Sequence, residues 1–100
     1  MVKASFCIRE NSASFKVTGH SGYADEGHDI VCAAVSSAAI MTVNTATEIF
    51  GEKSTAEVDD GFLQFEASGK AARDMIRGLK LHLEELAKDY PDHVTVTTEV

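Results

Sequence analysis

From Val2 to Arg9 apolar and polar residues alternate, with Val2, Ala4, Phe6 and Ile8 set against Lys3, Ser5, Cys7 and Arg9. A period of two is that of a strand with one buried face. Glu10-Asn11-Ser12-Ala13 supplies turn chemistry, and Ser14–Thr18 resumes the alternation with Phe15 and Val17 inward, so the two runs pair as a hairpin. The next ten residues, Gly19 to His28, hold three glycines, two histidines, an aspartate and a glutamate. That mixture is too polar and too glycine-rich for a regular element and reads as a loop.

Asp29 is a good helix N-cap, and Ile30–Phe50 follows without Gly or Pro until Gly51 closes the helix. This helix is apolar all round and rich in small residues (Ala33, Ala34, Ser36, Ser37, Ala38, Ala39), which predicts a helix sandwiched between the sheet and a second layer. A second hairpin spans Ser54–Val58 and Phe62–Glu66 across the turn Asp59-Asp60-Gly61. Ser68-Gly69-Lys70 leads into a second helix, Ala71 to about Asp89, with Ala72, Met75, Ile76, Leu79, Leu83 and Leu86 as its apolar stripe. Pro91 ends it, and Val94–Val100 alternates again as a last strand. The order β-β-α-β-β-α-β predicts one α+β domain over residues 1–100, a largely antiparallel sheet with two helices. Leu81 falls off the stripe and is either an oligomer contact or a scattered exposed leucine.

Composition narrows the setting. One hundred residues with 44% hydrophobic and 25% charged content suffice for one core. No continuous apolar run reaches the roughly 20 residues of a membrane span, because Ser, Thr, Asn and Glu interrupt Ile30–Ile49, so no membrane role is expected. The first residues do not read as a secretory signal, which predicts a cytoplasmic protein whose Cys7 and Cys32 stay reduced. Sixteen acidic against nine basic residues, without a Lys/Arg cluster, oppose direct nucleic-acid binding and favour a basic protein segment as partner.

The chemistry concentrates in Gly19–Ser36. With Asp29 as N-cap, Cys32 is the third residue of the helix, where unpaired N–H groups and the helix dipole favour a thiolate. His20 lies twelve residues earlier, a distance over which the loop folds back to bring imidazole and sulfur together. The carboxylate of Asp29 is placed to accept from the Cys32 amide or to orient His20, although a negative charge beside sulfur works against the thiolate. The plain readings are that Cys32 is buried filler, Asp29 only a cap and Ser36 a small packing residue one turn beyond Cys32. Gly19, Gly22 and Gly27 punctuate the loop or make it a segment that orders when substrate arrives. Cys7, on the polar side of the first strand, has no assigned role, and His82 and His93 read as solvated. A metal site from His20, Asp25, Glu26, His28, Asp29 and Cys32 lacks any CxxC or HExxH spacing, so no metal and no cofactor is expected. Neither G-x-S-x-G nor a glycine-rich phosphate loop is present.

Gly19-His20, a glycine-containing loop, and then Gly27-His28-Asp29-Ile30-Val31-Cys32-Ala33-Ala34-Val35-Ser36 closely resemble the signature of the ribosomal-processing cysteine protease (Prp) family. The resemblance covers essentially the whole chain. It implies a homodimeric α+β cysteine peptidase that removes an N-terminal extension from large-subunit ribosomal protein twenty-seven. It also implies that His20 and Cys32 form the catalytic dyad, with Asp29 and Ser36 in support and Gly19 fixing the approach of His20. Start-of-helix N–H groups would then supply the oxyanion hole. Ser21 departs from the alanine common after the family's histidine and reads as a tolerated small residue. The alternative is a noncatalytic ribosome-assembly factor that grips a basic ribosomal-protein tail.

Overall fold

The computed structural model describes residues 1–25 and 27–99; Glu26 and Val100 lie outside the described residues. The elements follow the predicted order: β1 (Val2–Ile8), β2 (Ser12–Thr18), α1 (Ile30–Asn44), β3 (Ser54–Asp59), β4 (Phe62–Ser68), α2 (Lys70–Asp89) and β5 (Val94–Glu99). They form one five-stranded sheet in the order β3-β4-β2-β1-β5. Three neighbouring pairs are antiparallel and β1 with β5 is parallel, so the sheet is mixed with an antiparallel majority. The last strand, predicted to run to Val100, is described through Glu99.

Two crossovers explain the layering. The segment β2-α1-β3 joins parallel strands moving one way across the sheet, and β4-α2-β5 joins parallel strands of opposite polarity moving the other way. With the usual right-handed crossover, both helices land on the same face. That face carries the core. Phe6, Phe15 and Phe65 share one row of the register, and neighbouring rings lie 5.8 Å apart between centroids. Ala4, Ala13, Ala67 and Val94 bury the rest of the face, while Lys3, Lys16, Gln64 and Glu66 stand exposed on the other. Cys7 is half-buried on that opposite side.

The helices differ in how they meet the sheet. Helix α2 sinks a narrow stripe, Ala72, Ile76, Leu79 and Leu83, and exposes the rest. Helix α1 buries Val31, Val35, Ala39 and Thr42, yet Ile30, Ile40 and Met41 remain exposed on its outer side. The second layer expected over α1 is absent among the described residues. The predicted continuous helix to Phe50 is also corrected: α1 ends at Asn44 and a π-helical turn, Thr45–Ile49, follows. Thr45 and Thr47 donate their hydroxyls to the carbonyls of Met41 and Val43 at 2.7 and 2.9 Å, which competes with regular helical bonding. The Phe50 N–H then reaches five residues back to the Thr45 carbonyl.

Contrary to the sequence expectation, the helical stretch Ile30–Ile49 is long and apolar enough, by length and composition, to cross a membrane. The Thr42 hydroxyl donates to the Ala38 carbonyl of the same helix. Here one side of the stretch, including Ala46, packs into the protein core.

Candidate active site

Gly19, His20, Gly22, Gly27, Asp29, Cys32 and Ser36 gather at one rim of the sheet. Gly19 leaves the end of β2 with φ +87°, and its N–H donates to the Gly61 carbonyl at 2.9 Å. A Cβ at Gly19 would run into the Met1 carbonyl oxygen, so both backbone angle and space require glycine. His20 follows, exposed, with its Nε2 against the β3–β4 turn: a Cβ on Gly61 would lie 2.9 Å from that nitrogen. Gly61 therefore leaves room for the imidazole, while Gly19 lets the chain pass close to Met1.

Asp29 is the predicted N-cap. Its Oδ1 accepts from the N–H groups of Val31 and Cys32 at 3.0 and 2.9 Å. Its Oδ2 accepts from the Ser21 hydroxyl and from the N–H groups of Tyr23 and Ala24 at 3.2 and 3.4 Å. The Ser21 hydroxyl first, then the Cys32 amide, hold this carboxyl well below the ordinary aspartate range. The carboxylate thus joins the loop to the helix, and no hydrogen bond runs from it to His20 among the described residues, which corrects the expectation that it orients the imidazole. The expected oxyanion hole at the helix start is corrected as well. Asp29 already occupies the N–H groups of Val31 and Cys32 with its carboxylate and that of Ala33 with its carbonyl at 3.1 Å.

Cys32 projects from the first turn of α1, half-buried, and its Sγ accepts from the Ser21 N–H at 3.1 Å. Sulfur and the His20 imidazole line the same cavity of about 410 Å3, enclosed by α1 and the β3–β4 hairpin, with Val35, Ala39, Val43 and Phe62 among its apolar walls. A second cavity of about 470 Å3 opens on the loop side, bounded by Gly22, Gly27, Asp29 and Ala33. His20, Cys32, Ser36 and Asp60 border both. His20 and Cys32 thus stand where an apolar cleft and a more polar one meet. No hydrogen bond joins His20 to Cys32 among the described residues, as is common before substrate tightens a site. The loop proposed to order with substrate, Ser21–His28, contains Glu26, which lies outside the described residues; Tyr23 and Ala24 are tied to Asp29, and His28 N–H to the Asp25 carbonyl at 2.9 Å. Among the described residues no group of three or more His, Cys, Asp and Glu side chains converges as a metal site; Glu26 was one of the considered ligands.

Two residues gain roles that sequence reasoning missed. Ser21 is 2% exposed, and its N–H, hydroxyl and carbonyl are all engaged. The carbonyl accepts from Nδ1 of His93 at 2.8 Å, so His93 is half-buried in the site rather than solvated. Tyr23 packs edge-on to both His93 and Tyr90, each with centroids 5.4 Å apart. Nothing around His93 in sequence signals this. Only the parallel pairing of β5 with β1 brings it to the loop.

A cysteine sulfur with an N–H donor, a histidine on the same cleft and apolar walls suit peptide hydrolysis, and the comparisons with known proteins agree. Residues 1–95 match the family model described as Cysteine protease Prp. The chain is 31% identical over 96 residues to the ribosomal processing cysteine protease Prp of Bacillus subtilis (strain 168), covering 87% of this chain and 86% of that protein. Its fold is similar to that of an essential ribosomal processing protease Prp from S. aureus, solved with a covalently linked product peptide. The TM-score there is 0.83 at 19% identity, covering 99% and 100% of the two chains. A protein of Streptococcus mutans, SMU.848, matches with a TM-score of 0.79 at 27% identity over 98% and 93%. A family match across nearly the whole length, joined to a shared fold, places this chain in the cysteine protease Prp family and makes it a cysteine protease.

Proposed function

We propose that this protein is a cytoplasmic endopeptidase, one domain over residues 1–100, that removes the N-terminal extension of large-subunit ribosomal protein twenty-seven. The observation that carries the reading is the placement of Cys32 Sγ and His20 on one cavity, with the sulfur accepting from the Ser21 N–H. In the reaction the Cys32 thiolate attacks the scissile carbonyl carbon. His20 protonates the leaving amine as the C–N bond breaks, leaving a thioester on Cys32. Water then attacks the thioester, His20 takes its proton, and the acid product and the thiol are released. Gly19 seats His20, Asp29 anchors the loop to the helix, and Ser36 lines the cleft. Gly22 and Gly27 give the loop the freedom to close on substrate. The mechanism uses no metal or cofactor, and the acidic surface suits a basic ribosomal-protein segment rather than nucleic acid or membrane.

The enzyme acts as a homodimer in this reading. Ile40, Met41 and Ile49, 54%, 61% and 74% exposed along one helical stretch, support it as an apolar surface that a second copy would cover. The test is incubation with the full-length ribosomal protein from the same genome, read by intact mass. One N-terminal cut by the wild type and none by Cys32→Ala is the expected result. A stable complex without a cut, formed equally by both proteins, would instead favour an assembly factor.

A further inference from the structure

His93 reaches the active site from outside every element that carries the dyad. We infer that His93 is a positioning residue for catalysis, acting by clamping the Ser21 carbonyl; the inference rests on the dyad reading above. A carbonyl oxygen only accepts, so Nδ1 of His93 carries the proton of the 2.8 Å bond. Ser21 is thereby held at three points: its carbonyl by His93, its hydroxyl by Asp29 and its N–H by the Cys32 sulfur. It is also the residue directly after His20. Fixing Ser21 fixes the backbone from which the imidazole projects and, through the same residue, the donor that faces the sulfur. Tyr23, edge-on to His93, closes the side of this clamp and limits ring rotation.

Geometry at this scale matters because displacing catalytic groups by about 1 Å costs roughly a hundredfold in rate. The clamp comes from the residue directly before β5, whose carbonyl accepts from the Val2 N–H at 2.9 Å, so it links the loop to the sheet. Its action is on the assembled site and not on substrate contact, since His93 borders neither cavity next to Cys32.

The experiment uses two variants of similar size and polarity. Asn places its amide nitrogen near the position of Nδ1 and keeps the donor to Ser21, whereas Gln places its own nearer Nε2 and does not. Cleavage of the ribosomal protein is followed for wild type, His93→Asn, His93→Gln and Cys32→Ala, with thermal melts of each. The expected result is a kcat loss of about tenfold or more in His93→Gln at nearly unchanged KM, with His93→Asn restoring most of it, beyond any difference in melting temperature. Equal rates in the Asn and Gln variants, or a loss confined to KM, would overturn the clamp while leaving the dyad in place. Continued cleavage by Cys32→Ala would overturn the dyad reading itself, whatever the His93 variants do.

Discussion

The two helices lie on one face of one sheet and are built on different principles. Helix α2 starts at Gly69 without a side-chain cap, buries one stripe and exposes a charged back where Asp74 bonds Arg73 and Arg77 at the surface. Helix α1 starts at a carboxylate that gathers five hydrogen-bond donors, places a cysteine in its first turn and leaves a cavity beneath its middle. An amphipathic helix needs only its stripe to hold the fold. A helix that also lines a cleft gives up part of its packing to make room for substrate, and the comparison separates scaffold from instrument.

Breaking the instrument should leave the scaffold standing. Cys32→Ala and His20→Ala each lower cleavage by roughly a thousandfold or more, as loss of a dyad member does, with little change in melting temperature. Leu83→Ala in α2 should do the reverse. The side chain is fully buried, so truncation costs about 2–5 kcal/mol in chemical denaturation, while kcat measured well below the melting point stays near wild type. If Leu83→Ala slows cleavage as strongly as it destabilises, the division between the helices fails.

Asp29 sharpens the contrast through pH. Its folded carboxyl sits below its unfolded value of about 3.9, so its stabilising effect is complete above that value and is lost as the pH falls from there through the lower folded value. Acid titration of wild type should therefore show a loss of stability beginning below about pH 4 that is steeper than in Asp29→Asn, which keeps only the contribution of carboxyls such as Asp74. At neutral pH the same variant is the less stable of the two. The smallest effect belongs to the exposed back of α2: Leu81, 62% exposed, is expected to change stability by no more than about 0.5 kcal/mol on substitution by Ala. By contrast, in the homodimer proposed above Met41→Lys on α1 should shift the protein toward monomer in sedimentation.

How far this was legible follows the range of the interactions. Strand alternation, the Asp60-Gly61 turn and the Asp29 cap depend on neighbours a few residues apart, and they stand as predicted. The placement of His20 and Cys32 on one cavity came from loop spacing and family resemblance together. What escaped depends on distant contacts. His93 meets Ser21 across 72 residues, and the second use of Asp29, on the loop, depends on how that loop folds back. The π-helical turn was hidden because Thr45 and Thr47 bond locally in ways that hydrophobic periodicity does not record.

The ends of β2 and β3 and the starts of β1, β4 and β5 all fall on the rim that bears His20 and Cys32, since the first two strands run opposite to the other three. The opposite rim, with the Arg9–Asn11 hairpin and the Ser68-Gly69 junction, carries none of the residues assigned to the chemistry. Evolution can therefore lengthen or recompose the loops there without disturbing catalysis, and lineages should diverge at that end first. For the engineer it is the natural place to insert a reporter or a tether, leaving the mouth of the cleft open.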